Sequence, residues 1–379
     1  MDNAETGGAV AQMQNRIVML ADFDYFFAQC EELRNPTLKD KPVVVGVYSG
    51  RTAESGAVST SNYIARKLGV KSGLPLFQAK RKLEGTDAVF LPVDHIYYEQ
   101  ISDRIMDIFR EYAGSFEQVS VDEAYLDVTE QVKSSFEKAK EYAQKIKAHV
   151  KAEVGISFSI GIGSNKLVAK IACDSQKPNG LTVVLPEEAK AFFAPLSIDR
   201  LLGVGKKTMA KMDSLGIKTI NDLADFDVQK LMEIWGKVLG VYFHKAANAI
   251  DNEPVHESSE AESIGRIGTL KQDSGELAFI LQKTDELTAD VAREVAEKKL
   301  CFKQVSIYAV LTDLTCKSRS ITLEQPAKDA EVIKKNVKDL LEKFLGESPL
   351  DLRRVGVKVS GFSGEEHRQK QLTSFFQSG

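Results

Sequence analysis

The sequence predicts an α+β chain of several domains, and three observations carry that expectation. Strands alternate with helices from Arg16 to about residue 184. From about Pro186 to Ile250 the pattern changes to short helices with glycine-rich joints and no convincing strand. Beyond a short acidic stretch, the order strand, helix, two strands, helix, strand gives a βαββαβ unit. A length of 379 residues agrees, since about 150 residues make a typical domain.

Each element has its own signal. Residues 1–15 are small, polar and aperiodic, as in a loose tail. Arg16–Asp24 reads as a buried strand ending in Asp-Phe-Asp, followed by a helix over about Tyr25–Leu33 and a Val-rich strand over Pro42–Tyr48. Residues 60–83 are largely helical, broken around Gly73 and Pro75. Glu99–Tyr112 and Ser135–Val154 carry helical apolar spacing. Between them Gln118–Val128 is strand-like but interrupted by Asp122-Glu123. Ile156–Ile162 alternates and ends at Gly163, before a helix over Asn165–Cys173. Asp251–Ser263 combines Pro, Ser and Glu and reads as a linker. The last unit reads as a compact ferredoxin-like layer, with strands at 264–271, 303–313, 316–323 and 351–360 around helices at 276–299 and 329–345. In its final strand Val355, Val357 and Val359 share one face, leaving Arg354 and Lys358 on the other.

Composition excludes whole classes. An apolar share of 43% with 27% charged residues suits a globular protein and not wholesale disorder. Cys30, Cys173, Cys301 and Cys316 show neither CxxC nor framework spacing, which fits a reducing, cytoplasmic compartment rather than a secreted scaffold. No apolar run reaches the roughly 18 residues of a membrane span, so no membrane partner is expected. The net charge of −4 advertises no nucleic acid, yet it hides local asymmetry. Residues 26–92 hold ten Lys/Arg against six Asp/Glu, residues 264–364 seventeen against fifteen, and 251–263 five acids and no Lys or Arg.

The oddest local feature is acid at the ends of apolar strands. Asp22 and Asp24 close one apolar run, and Asp122-Glu123 interrupts another. A carboxylate beside a buried strand is costly unless paired or metal-bound. Mg²⁺ takes one or two carboxylates plus substrate phosphates, and two clusters brought together could hold two ions about 3.5–4 Å apart for in-line phosphoryl transfer. Turn and N-cap roles account for the same residues. Spacing alone leaves both readings open. Residues 22 and 24 share a strand face, which would pair Asp22 with Asp24. Neighbours 122 and 123 can converge only at a hairpin bend.

Here the motifs become recognisable. Ala21-Asp22-Phe23-Asp24-Tyr25-Phe26-Phe27-Ala28 followed by Ser120-Val121-Asp122-Glu123-Ala124-Tyr125-Leu126-Asp127 resembles the paired catalytic motifs of Y-family, translesion DNA polymerases, closest to the archaeal branch. Ser55-Gly56-Ala57-Val58-Ser59-Thr60-Ser61-Asn62-Tyr63-Ile64-Ala65-Arg66 and Lys177-Pro178-Asn179-Gly180 continue the resemblance, which covers roughly residues 16–361. It implies a right-hand polymerase. The palm, ferredoxin-like, would span 16–25 and 93–184, the small fingers 26–92 and a helix-hairpin-helix thumb 185–250. A linker at 251–263, a βαββαβ little finger at 264–364 and a tail at 365–379 complete it.

The resemblance also implies roles. Asp22 and Asp122 match the aspartates that hold two Mg²⁺ ions, Glu123 the glutamate at the catalytic ion, and the Phe23 carbonyl an extra ligand; Asp24 matches no ligand. Thr60, Tyr63, Arg66 and Lys177 match the grip on the dNTP triphosphate, with Tyr25 and Phe26 near the same phosphates. Phe27 matches an aromatic steric gate under the sugar. Leu201-Leu202-Gly203-Val204-Gly205-Lys206-Lys207-Thr208 resembles a helix-hairpin-helix, whose Gly203 and Gly205 would turn backbone N–H groups to a DNA phosphate beside Lys206 and Lys207. Arg354 and Lys358 would contact DNA from the little finger. Gln369, Leu372, Phe375 and Phe376 match the QxxLxxFF sliding-clamp peptide, whose anchors gather on one helical turn.

Two features are set aside or qualified. Gly161-Ile162-Gly163-Ser164-Asn165-Lys166 lacks the GxxxxGK[ST] spacing and is no phosphate loop. The acidic 251–263 departs from the basic linker of the relatives and would repel DNA, so linker contacts do not carry across. The single Trp235 reads as thumb core, and the five histidines form no metal-spaced set. The expected activity is template-directed, Mg²⁺-dependent DNA synthesis by a monomer, with low fidelity, lesion bypass, no proofreading and stimulation by a clamp. A clamp-tethered DNA-binding scaffold and a nucleotidyl cyclase are the rival readings.

Overall fold

The structure, a computed structural model, describes residues 16–257 and 262–364. These fall into one unit of residues 16–46, 58–74 and 79–257 and another of 47–57, 75–78 and 262–364.

The chain enters through β1 (Val18–Phe23) and α1 (Phe26–Arg34). An insertion follows, with β2 (Val43–Tyr48), β3 (Gly56–Ser61), α2 (Tyr63–Lys67), α3 (Leu76–Lys82) and β4 (Val89–Pro92). Its three strands form a sheet in the order β3-β2-β4. Then come α4 (His95–Tyr112), β5 (Ser115–Gln118), β6 (Glu123–Asp127), α5 (Phe136–Glu153), β7 (Phe158–Gly163), α6 (Lys166–Ser175) and β8 (Leu181–Val183). The main sheet runs β5-β6-β1-β7-β8. Its β1, β5, β6 and β7 with α4 and α5 make the ferredoxin-like layer, the first and third strands lying at the centre. β8 extends it, parallel to β7.

Burial on both faces explains why β1 reads as a continuous apolar run. Ile17, Met19, Ala21 and Phe23 enter the core beneath α4 and α5. Val18 and Leu20 point the other way, into a cluster with Tyr125, Ala169 and Cys173 under α6. By the same alternation Asp22 belongs to the α6 face. Gly161 explains the rejected phosphate loop. A Cβ there would lie 2.0 Å from the Ala169 carbonyl oxygen and 2.2 Å from the Cys173 nitrogen. Glycine lets α6 rest directly on β7.

Helices α7 (Ala189–Phe193), α8 (Lys206–Ser214), α9 (Ile220–Ala224) and α10 (Val228–Ala247) pack around Phe193, Leu201, Met212, Leu231 and Phe243. A kink divides α10 at Gly236, whose φ is 81°. Trp235 joins this core edge-on to Phe243 at 5.5 Å, as expected.

Residues 251–257, the described part of the acidic stretch, lie against their own unit. Val255 is buried with Val18, Leu20, Tyr125, Ala169 and Cys173. Asp251 accepts a hydrogen bond from the Leu167 amide at 3.2 Å, Glu253 pairs with Lys166 at 3.1 Å, and Glu257 with Arg110 at 3.0 Å. The acids answer cations and amides of their own unit, so this part of the stretch is docked chain rather than free repulsive charge.

In the other unit, β9 (Ser263–Ser274), α11 (Leu277–Glu297), β10 (Leu300–Leu311), β11 (Cys316–Ala327), α12 (Ala330–Glu347) and β12 (Leu352–Ser360) follow the expected βαββαβ order, and a short β13 (Ser363–Gly364) pairs with β10. The sheet order, β11-β10-β12-β9, differs from a ferredoxin-like layer by placing the second and fourth strands at the centre. Polarity accounts for it. Val305, Ile307, Ala309, Val355, Val357 and Val359 make β10 and β12 the apolar strands, whereas β11 carries exposed Lys317 and Glu324 suited to an edge. Arg354 stands exposed opposite the valine face, and the Lys358 ammonium lies 5.6 Å above the Tyr308 ring.

Candidate active site

Asp22 on β1 and Glu123 on β6 are direct cross-strand neighbours. Asp122 precedes β6 in the bend that joins it to β5, closed by Val119 and Ser120 amides donating to the Glu123 carbonyl at 2.9 and 3.2 Å. That is the hairpin position required for residues 122 and 123 to approach one site. The Phe23 amide donates to the Asp122 carbonyl at 2.9 Å, stitching the bend to the end of β1.

Asp24 does not join them. Its buried carboxylate accepts from the Ser159 hydroxyl at 2.9 Å and the Asn179 amide at 2.7 Å. Burial still holds its carboxyl above the ordinary range. Asp24 is therefore a tie that fixes the Lys177–Gly180 loop against β7, and pairing it with Asp22 by strand face alone is incorrect.

One cavity of about 300 Å³ gathers the expected nucleotide and metal residues. Asp22, Phe23, Asp122 and Glu123 form its acidic side, Arg66 and Lys177 its cationic side, and Tyr25, Phe26, Phe27, Thr60 and Tyr63 line the rest. Tyr25 caps α1 with φ 39° and ψ 43°, a left-handed conformation unusual for a tyrosine. This sharp turn lets the helix start immediately beside the carboxylates. The Tyr25 hydroxyl donates to Glu32 at 3.2 Å, and its ring meets Tyr63 edge-on at 5.2 Å. Asn62 caps α2 by accepting from the Ala65 amide, which sets Tyr63 and Arg66 on the helix's first turn. The Arg66 guanidinium lies 4.9 Å from the Tyr63 ring centre. Phe27 stacks on Tyr98 at 4.5 Å and meets His95 edge-on at 5.9 Å.

Two lysines neutralise the carboxylates. The Lys177 ammonium is 2.5 Å from Asp22 and 3.1 Å from Asp174. Lys170, on α6, is 3.2 Å from Asp22 and pairs with Glu123. Burial pushes Glu123 up to about 7, helped by its hydrogen bond with Asp22. Burial pushes Asp22 upward too, but its bond with Glu123 and the two ammonium groups win and hold it below the usual carboxylate range. Sequence reasoning missed Lys170. The four-residue spacing Lys166, Lys170, Asp174 on one helical face was the available signal.

The donor set fits a hard divalent cation, being all oxygen and facing positive charge in the same place. Among the described residues no three His, Cys, Asp or Glu side chains converge closely enough to hold an ion as they stand. Asp122 instead accepts from the Ser120 hydroxyl at 2.6 Å, and lysines occupy Asp22 and Glu123. Ion binding would require at least that these side chains leave their present partners.

The remaining expected residues lie elsewhere. Gly203 takes φ 86° between buried Leu201 and Val204, Gly205 caps α8, and Lys206 and Lys207 stand exposed on its first turn. Arg354 and Lys358 belong to the other unit. Gln369, Leu372, Phe375 and Phe376 lie outside the described residues. A second cavity, of about 670 Å³, also reaches Glu123 and Lys170, with Leu202, Tyr242 and Pro254 on its walls. No helix among the described residues is long and apolar enough to cross a membrane.

The chain matches the impB/mucB/samB family over residues 21–174 and that family's C-terminal domain over 261–373. It is 45% identical to the DNA polymerase IV of Nitrosopumilus maritimus over 96% of this chain and 100% of that one. It is 41% identical to DNA polymerase IV 1 of Methanosarcina mazei, with the same coverage of both. Among solved structures, the Y-family DNA polymerase chimera Dbh-Dpo4(243-245)-Dbh superposes with a TM-score of 0.87 at 37% identity, over 92% of this chain and 99% of that one. The insertion ternary complex of Dbh DNA polymerase gives 0.66 at 36% identity, over 91% and 98%.

Proposed function

This chain belongs to the Y family of DNA polymerases, the impB/mucB/samB family, and we propose that the cavity between Asp22, Glu123, Arg66 and Lys177 is its nucleotidyl-transfer site. The protein is a DNA-directed DNA polymerase of the translesion type, with the right-hand fold of its relatives. The observation that carries the site assignment is the joint lining of one cavity by carboxylates from two strands and cations from two other segments.

We assign the palm to 16–25 and 93–184, the fingers to 26–92, the thumb to 185–250, the linker to 251–263 and the little finger to 264–364. Primer–template DNA and a dNTP are the substrates. The primer 3′-oxygen forms a bond to the α-phosphorus as the bond to pyrophosphate breaks, and the primer hydroxyl gives up its proton to solvent. Asp22, Asp122, Glu123 and the Phe23 carbonyl would hold two Mg²⁺ ions. When bound, these ions supply electrostatic stabilisation of the attacking and leaving oxygens. Arg66, Lys177, Thr60 and Tyr63 grip the triphosphate, the first amides of α1 at Phe26 and Phe27 offering unpaired donors beside it. The Phe27 ring, stacked on Tyr98, would bar a ribose 2′-hydroxyl. Gly203, Gly205, Lys206 and Lys207 would hold the duplex backbone, and Arg354 and Lys358 of the other unit would also contact DNA. The tail residues Gln369, Leu372, Phe375 and Phe376 would recruit a PCNA-type sliding clamp to an otherwise monomeric enzyme.

Primer extension with Mg²⁺ and dNTPs, on undamaged and abasic templates, tests this reading. The wild type should extend both primers, and Asp122→Ala should extend neither while still binding DNA. Extension retained by Asp122→Ala would sink the metal assignment. A wild type that binds DNA and extends nothing would favour the scaffold reading.

A further inference from the structure

The carboxylates of this site are not empty-handed. Lys170 bridges Asp22, at 3.2 Å, and Glu123, and its side chain is mostly buried. It comes from α6, which rests on that face of the sheet, its backbone at Ala169 and Cys173 packed directly against Gly161. One helical turn onward, Asp174 Oδ2 lies 3.8 Å from the same ammonium. The groups facing Lys170 are therefore Asp22 and Glu123 from the sheet, Asp174 from its own helix, and the Lys177 ammonium on the far side of Asp22 and Asp174.

We propose that Lys170 is a built-in counter-cation, holding Asp22 and Glu123 together in the metal-free protein and moving to Asp174 when a divalent ion takes its place. The inference rests on the metal-site reading above and adds a residue to it. Two like charges facing each other across paired strands repel, and a partly buried pair is screened little by salt. An ammonium on a flexible four-carbon stem relieves that repulsion without committing the site to one geometry. It also competes with any incoming cation, so Lys170 sets how tightly the free enzyme binds metal. Asp174 gives the displaced ammonium a partner, which keeps the competition reversible. Lys170 is in this sense a positioning residue: it acts on the ligands and touches no reacting atom.

The test is Mn²⁺ binding to the full chain without DNA or nucleotide, followed by the electron paramagnetic resonance signal of free Mn²⁺. Lys170→Met should bind Mn²⁺ about tenfold more tightly than the wild type, equivalent to about 1.4 kcal/mol. Lys170→Gln, which keeps a hydrogen-bond donor without the charge, should move in the same direction and serves if Lys170→Met does not fold. Lys170→Arg, which keeps the charge, should not tighten binding. Asp174→Asn should weaken binding severalfold in the wild type and much less beside Lys170→Met, a coupling that a purely local charge effect would not produce. Unchanged or weaker Mn²⁺ binding by folded Lys170→Met and Lys170→Gln overturns the proposal. Equal effects of Asp174→Asn in both backgrounds overturn the role of Asp174. Asp22→Asn binding Mn²⁺ as well as the wild type would instead place the ion elsewhere, and the metal-site reading would fall with it.

Discussion

Asp22 and Glu123 face one another directly across the antiparallel pair of β1 and β6. Paired strands disfavour like charges in that position, and these two are partly buried as well. The fold tolerates them because α6 and the Lys177 loop deliver two ammonium groups to the same spot. Positive charge is thus required at this place whether or not a metal is bound. The rest of the cavity, with Arg66 and a helix N-terminus on its other walls, extends that field toward a polyanionic ligand.

Phe27→Ala should admit ribonucleotides. The ring is held by stacking on Tyr98 and by the edge contact with His95, so its removal leaves a gap that the backbone cannot close. Selectivity for the deoxy sugar, from kcat/KM for dNTP against rNTP, should fall by at least about tenfold, the scale of shape-based discrimination. Unchanged selectivity would remove Phe27 from the gate.

Gly161→Ala should destabilise the catalytic unit. The added methyl meets backbone atoms of α6, which cannot swing aside as a side chain could. A cost of about 1–3 kcal/mol is expected from overpacking of this kind, read as a lower midpoint in urea denaturation. A variant as stable as the wild type would contradict the direct contact of α6 with β7.

Glu32→Gln should change how stability depends on pH. Burial raises the Glu32 carboxyl above its ordinary value, despite hydrogen bonds from the Asn62 amide at 2.9 Å and the Tyr25 hydroxyl at 3.2 Å. A carboxyl whose folded-state pKa is raised contributes stability below its unfolded value of about 4.5, and loses that contribution as pH rises through the folded value. Glutamine does not titrate. The melting temperature of Glu32→Gln relative to the wild type should therefore climb between pH 4 and pH 7. A constant difference across that range would show that the burial of Glu32 is not felt.

Replacing Phe375 and Phe376 together by alanine should abolish stimulation by a sliding clamp. The measured quantity is the ratio of extension with clamp to extension without it, which should drop to about one when both anchors of a short motif are lost. A ratio equal to that of the wild type would retire the tail peptide.

Much of the fold was legible in the sequence because its signals are local. The apolar run of β1, the helical spacing of Glu99–Tyr112 and the alternation of Val355, Val357 and Val359 each follow from a few neighbouring residues. Asp122-Glu123 at a bend was a geometric necessity, and the bend is there. What could not be read is contact between distant segments. The partnership of Asp22 with Glu123 depends on strand register, and that of Asp24 with Ser159 and Asn179 on a strand and a loop 135 and 155 residues away. The partners of the acidic stretch after Ile250, Lys166 and Arg110, were hidden for the same reason. The sheet order of the second unit escaped too, since its βαββαβ segment settles with the second and fourth strands, the most apolar ones, at the centre.

The alternation along β1 has a last consequence. Met19, Ala21 and Phe23 belong to one face and Leu20 and Asp22 to the other, so sliding the strand by one position would exchange them all. The aspartate would be driven into an apolar interior while phenylalanine emerged among lysines. A single-residue insertion or deletion here, unless absorbed by a bulge, would therefore cost the core and the site together. Folding and chemistry share one register in this strand.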